Sequence, residues 1–425
     1  MSVDAPARTL REAYAYLDPL RPLQGEWLSR FYVERPLGSD LGTLQQELEL
    51  DPSPNDKTLF TGARGSGKST ELYRLASLLS SDHLVVMMNV EPKLNLGDVD
   101  YRDLLVLLGV EIYQRVREER IRVPAKRLND IRFWYQQHIL EKIQARGASP
   151  KGRAKIDLLF AGFELDLSAN AELRQIIRSE GRSFLADLIE RLNALLDDVQ
   201  KKARRRVFVI VDGLDKVFHE EQVRQLFVEG ANALMAPACR LLYAIPFALA
   251  HDIHFQQVRN SFTRFYALPN IKVYERDGQP YPPGRDALTR ILHRRIAPEL
   301  IQEEAVEALL HYSGGLIREL IGLTRSSLII ARQKRGDGGP ITREDVEQAV
   351  VGVRNFYRRE LTEAEYEELA RFYEGGPFVQ SDVALQLIRN LCLLEYDGGR
   401  DSWWAVHPTV QPLVKEWIQH REKAP

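Results

Sequence analysis

A glycine-rich segment, residues 62–69, constrains the fold of this chain more than any other feature. It reads Gly-Ala-Arg-Gly-Ser-Gly-Lys-Ser and matches the pattern G-x-x-x-x-G-K-[ST]. A short apolar run, 58–61, precedes it, and a helical pattern with Leu72, Leu75 and Leu79 on one face follows it. This order predicts a strand, a phosphate-binding loop and a helix, because glycines let a tight loop aim its backbone N–H groups at an anion.

The residue types of this loop suit a nucleoside triphosphate and a metal ion. We expect Lys68 to reach the β- and γ-phosphates and Ser69 to ligate Mg²⁺. The helix that follows offers its positive N-terminal end to the same phosphates. A Gly-rich connector that binds nothing is the alternative. The predicted nucleotide-binding residues are Gly62, Gly65, Ser66, Gly67, Lys68, Ser69 and Thr70.

A second motif, VFVIVDGLD at 207–215, supplies carboxylates at the end of an apolar strand. Asp212 directly follows this strand, and we expect it to hold the magnesium ion together with Ser69. Asp215 lies three residues further on and is the candidate group that orients the attacking water. An aspartate that only caps a turn is the alternative for Asp215.

The remaining pattern predicts an α/β domain followed by helices. Apolar segments at 83–90, 241–245 and 271–274 are further strand candidates, and strands that alternate with helices favour a parallel sheet covered on both faces. After about residue 280 the pattern is helical, at 285–298, 302–312, 315–334 and 342–358. Near the end, 393–396 and 403–406 flank Asp397-Gly398-Gly399, which is typical of a hairpin.

In this order the motifs resemble the AAA+ superfamily of P-loop ATPases. The ending DGLD is closest to its STAND branch, such as the NACHT group, and the segment SGGLIREL at 313–320 is similar to the lid of origin-recognition-like ATPases. The resemblance implies an α/β P-loop NTPase sheet of order 5-1-4-3-2, an α-helical lid and a C-terminal winged-helix domain. The expected domains are an N-terminal arm (1–40), the ATPase domain (41–280), the lid (281–358) and the winged helix (359–425).

The resemblance also implies an ATP–Mg²⁺ site and an oligomer in the ATP state. Arg318 would act as sensor 2, and an arginine finger from a neighbouring subunit would be Arg264 or Arg259, for both of which a solvated surface arginine is the alternative. Two departures from the family pattern indicate slow turnover. Gly213 replaces the usual acid after Asp212, and Pro246 stands where sensor 1 is usually polar.

Charge narrows the choice of partners. The chain has a net charge of −2. Residues 112–155 hold twelve Lys and Arg against four Asp and Glu, so this insertion is the candidate for nucleic acid, with Trp134 and Tyr135 available for stacking. A merely solvated basic surface is the alternative. Residues 361–425 hold six Lys and Arg against eleven acids, which favours a protein contact over DNA.

These observations predict a slow ATPase that acts as a cytoplasmic switch, coupling its nucleotide state to oligomerisation and to a protein partner. Two cysteines cannot form a disulfide framework, no apolar stretch is long enough to span a membrane, and residues 1–20 lack a secretory signal. One alternative is a nucleic-acid-dependent ATPase of origin-recognition or transposition-regulator type that uses the basic insertion. Another is a nucleotide-binding scaffold with negligible turnover.

Overall fold

The computed structural model describes residues 5–36, 41–51, 53, 55–135, 137, 182–217, 219–253, 255–397 and 401–423. Its contacts divide the chain into two compact units. The first unit comprises residues 1–46, 62–74 and 267–425, and the second comprises 47–61 and 75–266. The domain boundaries expected from the sequence, at 40, 280 and 358, stay a prediction.

A five-stranded sheet forms the centre of the α/β part of the chain. The strands are β1 (Lys57–Gly62), β2 (His83–Asn89), β3 (Arg206–Asp212), β4 (Arg240–Ala244) and β5 (Arg264–Leu268). Their order across the sheet is β2-β3-β4-β1-β5, which read from the other edge is 5-1-4-3-2. The pairs β2–β3, β3–β4 and β4–β1 are parallel. The fifth strand is therefore 264–268, and the prediction of a strand at 271–274 is wrong.

Helices account for most of the remaining described residues. In chain order they are α1 (Leu10–Tyr16), α2 (Glu26–Phe31), α3 (Gly42–Leu50), α4 (Lys68–Leu79), α5 (Tyr101–Glu118), α6 (Ala125–Tyr135), α7 (Arg182–Ala203), α8 (Glu220–Arg224), α9 (Ala231–Met235), α10 (Phe255–Ser261), α11 (Pro282–His293), α12 (Glu303–Ser313), α13 (Ile317–Arg335), α14 (Arg343–Glu360), α15 (Glu363–Tyr373), α16 (Asp382–Arg389) and α17 (Gln411–Lys423). None of these described helices is long and apolar enough to cross a membrane.

The second unit has a core that explains its strand sequences. Strand β3 is almost continuously apolar, and its residues from Val207 to Asp212 are all buried, as expected for a strand of a parallel sheet that is covered by helices. Helix α7 presents Leu188, Leu192 and Leu196 to this core, and each is fully buried. The apolar period of α7 thus sets which of its faces packs inward.

The first unit has a separate core made by the N-terminal segment and the helices after residue 280. Leu10 and Leu17 of the N-terminal segment are buried in the same cluster as Leu288, Leu309 and Leu320. Helices α12, α13 and α14 begin and end within two residues of the predicted bounds, whereas α11, predicted at 285–298, begins at Pro282 and ends at His293. The part of the chain expected to be an arm is therefore integrated into a core.

The last part of the first unit contains an antiparallel hairpin between helices. Strands β6 (Leu393–Asp397) and β7 (Ser402–Val406) pair as the turn signal predicts, while the turn residues 398–400 lie outside the described residues. Helices α15 and α16 precede the hairpin and α17 follows it. The winged-helix interpretation of this segment stays a prediction.

Candidate nucleotide site

The glycine-rich loop joins the end of β1 to the start of α4. Gly65 and Gly67 have φ of +86° and +99°, in the left-handed region where a side chain is strained. A Cβ on Gly65 would lie 2.8 Å from the Cβ of Arg318, and one on Gly67 would lie 3.0 Å from Cδ1 of Ile317. Both glycines are therefore required by the backbone and by close packing.

The interior of this loop carries the groups that a phosphate needs. The Lys68 ammonium, only 6% exposed, donates to the carbonyls of Gly62 (2.9 Å) and Ala63 (3.1 Å). The hydroxyl of Ser66 is buried and has no hydrogen-bond partner among the described residues. The first backbone N–H groups of α4 have no carbonyl of their own helix to bond. A buried cation, an unsatisfied hydroxyl and a helix N-terminus together fit a phosphate group.

Arg318, the predicted sensor 2, lies beside this loop in the same unit. Its backbone N–H donates to the carbonyl of Gly65 at 3.0 Å. The preceding turn makes this possible, since Gly314 ends α12 at a φ of +56° and Gly315 follows at +77°. Burial raises the pKa of neighbouring Glu319, while the charges of Arg318 and Arg64 oppose that rise. The role of Arg318 stays a prediction.

Arg35 is a residue at the site that sequence reasoning missed. Its guanidinium, 6% exposed, donates from Nη1 to the carbonyl of Ser66 at 2.7 Å and from Nη2 to the carbonyl of Pro269. The same N-terminal segment reaches Thr70, whose hydroxyl accepts from the N–H of Leu23 at 3.1 Å. No motif in residues 1–40 singles out Arg35, because its importance comes from a contact with a distant carbonyl.

The predicted carboxylates lie at the carboxyl end of β3 in the second unit. Asp212 is 5% exposed and is in register with Asn89, the last residue of β2. Asp215 is half-buried in a short 3₁₀ helix, Leu214–Lys216. Ligands of parallel α/β sheets bind at this edge. Asn89 was missed by sequence reasoning, although a polar residue that ends an apolar strand is a usable signal.

The backbone explains why Gly213 follows Asp212. Gly213 has a φ of +98°, and a Cβ there would lie 3.2 Å from Oδ1 of Asn89 and 3.2 Å from Cγ2 of Val90. A glutamate or aspartate at this position would be strained. The acid that the AAA+ resemblance leads us to expect after Asp212 would therefore be strained in this turn, and Asp215 is the next carboxylate along the chain. The predicted magnesium ligands Ser69 and Asp212 belong to different units.

The two arginine-finger candidates differ sharply in their surroundings. Arg264 is the first residue of β5, and it forms ion pairs with Glu47, Asp51 and Asp56. Asp56 is only 1% exposed, so Arg264 neutralises a buried charge. Arg259 is exposed on α10 and has no ion-pair partner within the described part of the chain. Of the two, Arg259 is the one whose guanidinium is accessible.

The structure corrects the prediction about stacking residues in the basic insertion. Trp134 is 1% exposed, and its ring centroid lies 4.5 Å from that of Phe184. It is a core residue, so the prediction that it is available for stacking is wrong. The side chain of Tyr135 and residues 138–155 lie outside the described residues.

Comparisons with known proteins concern the fold. No family model matches the sequence, and no curated protein matches it. Among solved structures, a Walker-type ATPase of Pyrococcus abyssi is 14% identical with a TM-score of 0.45, over 94% of this chain and 99% of that chain. Cdc6p from Pyrobaculum aerophilum is 16% identical with a TM-score of 0.41, over 92% and 97%. The Aeropyrum pernix ORC1 protein, solved in complex with DNA, is 14% identical with a TM-score of 0.41, over 92% and 96%.

Proposed function

We propose that this protein binds ATP with Mg²⁺ at the loop 62–69 and hydrolyses it slowly as a cytoplasmic switch. The observation that carries the proposal is the interior of the loop. Lys68 donates to two loop carbonyls, and the buried hydroxyl of Ser66 in the same loop has no hydrogen-bond partner among the described residues. These groups, with the N-terminus of α4, offer positive charge and hydrogen-bond donors to the β- and γ-phosphates.

The residues that would bind the metal ion and the residue that would orient the water have separate roles in the proposal. Ser69 and Asp212 would hold Mg²⁺, which when bound supplies neutralisation of the charge on the phosphate oxygens. Asp215 would accept a hydrogen bond from the attacking water and orient it toward the γ-phosphate. We expect slow turnover because two catalytic groups are missing after strands β3 and β4. Gly213 leaves no room for an acid next to Asp212, and Pro246 offers no side-chain hydrogen-bond donor after β4.

The contacts of the loop suggest how a bound nucleotide could be sensed. The Gly65 carbonyl accepts from the first turn of α13, and the Ser66 carbonyl accepts from Arg35 of the N-terminal segment. A change in the loop on phosphate binding would therefore reach both segments directly. In the proposal this drives homo-oligomerisation and control of a protein partner, and Arg259 acts on ATP bound to the neighbouring subunit.

Titration calorimetry with a non-hydrolysable ATP analogue tests the site. Lys68→Ala should weaken binding at least about tenfold, and the matched control Lys415→Ala, an exposed lysine, should leave it unchanged. Equal affinity of the Lys68→Ala variant would refute the site. Light scattering with ADP or the analogue tests the oligomer, and single-turnover hydrolysis separates a switch from a scaffold that never turns over.

A further inference from the structure

The amino edge of the sheet in the second unit carries a concentrated positive charge. It is formed by residues 115–127, at the end of α5 and the start of α6, and by 201–206, at the end of α7. We propose that this amino-edge basic surface binds single-stranded nucleic acid through its phosphates, with base stacking on Phe133. The inference goes beyond the proposed ATP site and does not depend on it.

The fold brings together two segments that are far apart in sequence. Arg205 donates from Nη2 to a carboxylate oxygen of Glu119 at 3.0 Å and from Nη1 to the Ser80 carbonyl at 3.4 Å. In a parallel α/β arrangement the helices run opposite to the strands, so the ends of α5 and α7 meet beside the start of β3. The segment KKARRR, which the sequence shows only as a run before a strand, thus extends the basic insertion.

The acids within this surface are already neutralised. The two segments together contain eleven Lys and Arg and two acids, Glu118 and Glu119. Both pair with Arg115, and Glu119 also pairs with Arg205. Asp197 and Asp198, which precede the second segment on α7, pair with Lys201 and Arg127. Asp130, one turn along α6, acts on the already paired Arg127.

Five cations remain available to an outside anion. They are exposed, and within the described part of the chain they have no acidic partner: Arg120, Arg122, Lys126, Lys202 and Arg204. The whole chain has a net charge of −2, so this is a local excess of positive charge, and the five cations repel one another. The partner that neutralises it best is a chain of regularly spaced negative charges, as in a nucleic-acid backbone.

Two of these arginines occupy an unusual backbone conformation. Arg120 and Arg204 each have a φ of +53°, just after the ends of α5 and α7. Glycine or asparagine is favoured at such a position, and the helix end requires no charge there. Residues held in a strained conformation are a reason to look for function. Here both strained residues add a guanidinium to the same surface.

An exposed aromatic ring favours single strands over other polyanions. Phe133 on α6 is 61% exposed and lies on the same helix face as Lys126 and Asn129, which are also exposed. A base can stack on such a ring only when it is unpaired. A lipid surface would instead require a broad apolar face, whereas this face of α6 alternates Phe133 with polar residues.

The test measures fluorescence anisotropy of a fluorescein-labelled dT20 with the full chain, without nucleotide. Five phosphate contacts on a single strand predict a roughly hundredfold loss of affinity between 50 and 200 mM salt. A four-site variant should lose at least about tenfold at 50 mM and most of its salt dependence. It combines Arg120→Asn, Arg122→Gln, Lys202→Gln and Arg204→Asn, in which asparagine tolerates the left-handed backbone.

The matched control removes four exposed charges from the first unit: Arg276→Gln, Arg359→Gln, Arg389→Gln and Lys415→Gln. It should bind dT20 like the parent. Phe133→Ala should weaken binding about tenfold with the salt dependence unchanged, because it removes stacking but no charge. Lys68→Ala should bind dT20 normally, which separates failure of this proposal from failure of the ATP site.

Several results would overturn the proposal. One is the lack of binding to dT20 and to U20 RNA at 50 mM salt. A second is an equal loss in the control and the four-site variant. A third is equal affinity for a 20-base-pair duplex with no effect of Phe133→Ala, which would remove the single-strand assignment. Binding to vesicles of 70% phosphatidylcholine and 30% phosphatidylglycerol, without binding to either oligonucleotide, would assign the surface to membranes.

Discussion

Replacing Arg264 should destabilise the second unit rather than abolish catalysis directly. Its guanidinium forms ion pairs with Glu47, Asp51 and Asp56, and Asp56 is 1% exposed. Arg264→Gln leaves that carboxylate buried without its partner, and breaking a buried pair from one side costs about 3–5 kcal/mol. We take the lower end, about 3 kcal/mol, because the Arg264 side chain is 20% exposed.

This free energy converts into a measurable melting shift. A unit of about 200 residues loses roughly 2–4 °C in Tm for each kcal/mol, so the expected loss is about 6–12 °C. Differential scanning calorimetry measures it. Arg264→Gln combined with Asp56→Asn should recover more than half of the loss, since the double variant buries no unpaired charge.

The matched comparison is Arg259→Gln. Arg259 is exposed on α10, so its replacement should leave Tm within about 1 °C while ATP hydrolysis falls by about 10³, the lower limit of what an arginine finger contributes. At 20 °C, Arg264→Gln should hydrolyse ATP within about threefold of the parent. The reasoning is refuted if Arg264→Gln melts like the parent and loses hydrolysis.

Three further changes test the site and the fold. Asp215→Asn should keep ATP affinity within a few-fold while hydrolysis falls by about 10²–10⁴, and parental turnover would show that the water is oriented elsewhere. Gly65→Ala should weaken ATP binding at least about tenfold, because the added Cβ strains a φ of +86° and lies 2.8 Å from Cβ of Arg318; unchanged calorimetric affinity would contradict this. Burial lowers the pKa of His407 to about 4, and the charge of nearby His311 contributes. The buried neutral imidazole therefore contributes fully to the stability of the fold above about pH 6.5, and this contribution is lost as the pH falls toward 4. Between pH 7.5 and 5.0 the loss should be about 2 kcal/mol, and His407→Asn, which can still accept from the Thr409 N–H, should melt with a smaller pH dependence.

The sequence by itself determined the local elements of the candidate site. The loop 62–69 is recognisable because glycines, a lysine and a serine at fixed spacing have few other uses. Strand β3 and Asp212 are recognisable because a strand buried on both faces is continuously apolar and ends where polar residues resume. Helix α7 and the helices after residue 280 follow from the 3.6-residue period. Each of these signals is contained in a segment of about twenty residues or fewer.

Only the tertiary structure decided which distant residues meet. It assigned Arg264 to an ion-pair cluster, Trp134 to the core and Arg35 to the Ser66 carbonyl. An arginine in the sequence looks the same whether a buried acid, a carbonyl or water surrounds it, because burial and charge pairing depend on chain segments hundreds of residues away. The strand at 264–268 was missed for the same reason. Residues 264–266 are partly buried, Ala267 is exposed and only Leu268 is buried, so pairing with β1 rather than burial makes this segment a strand.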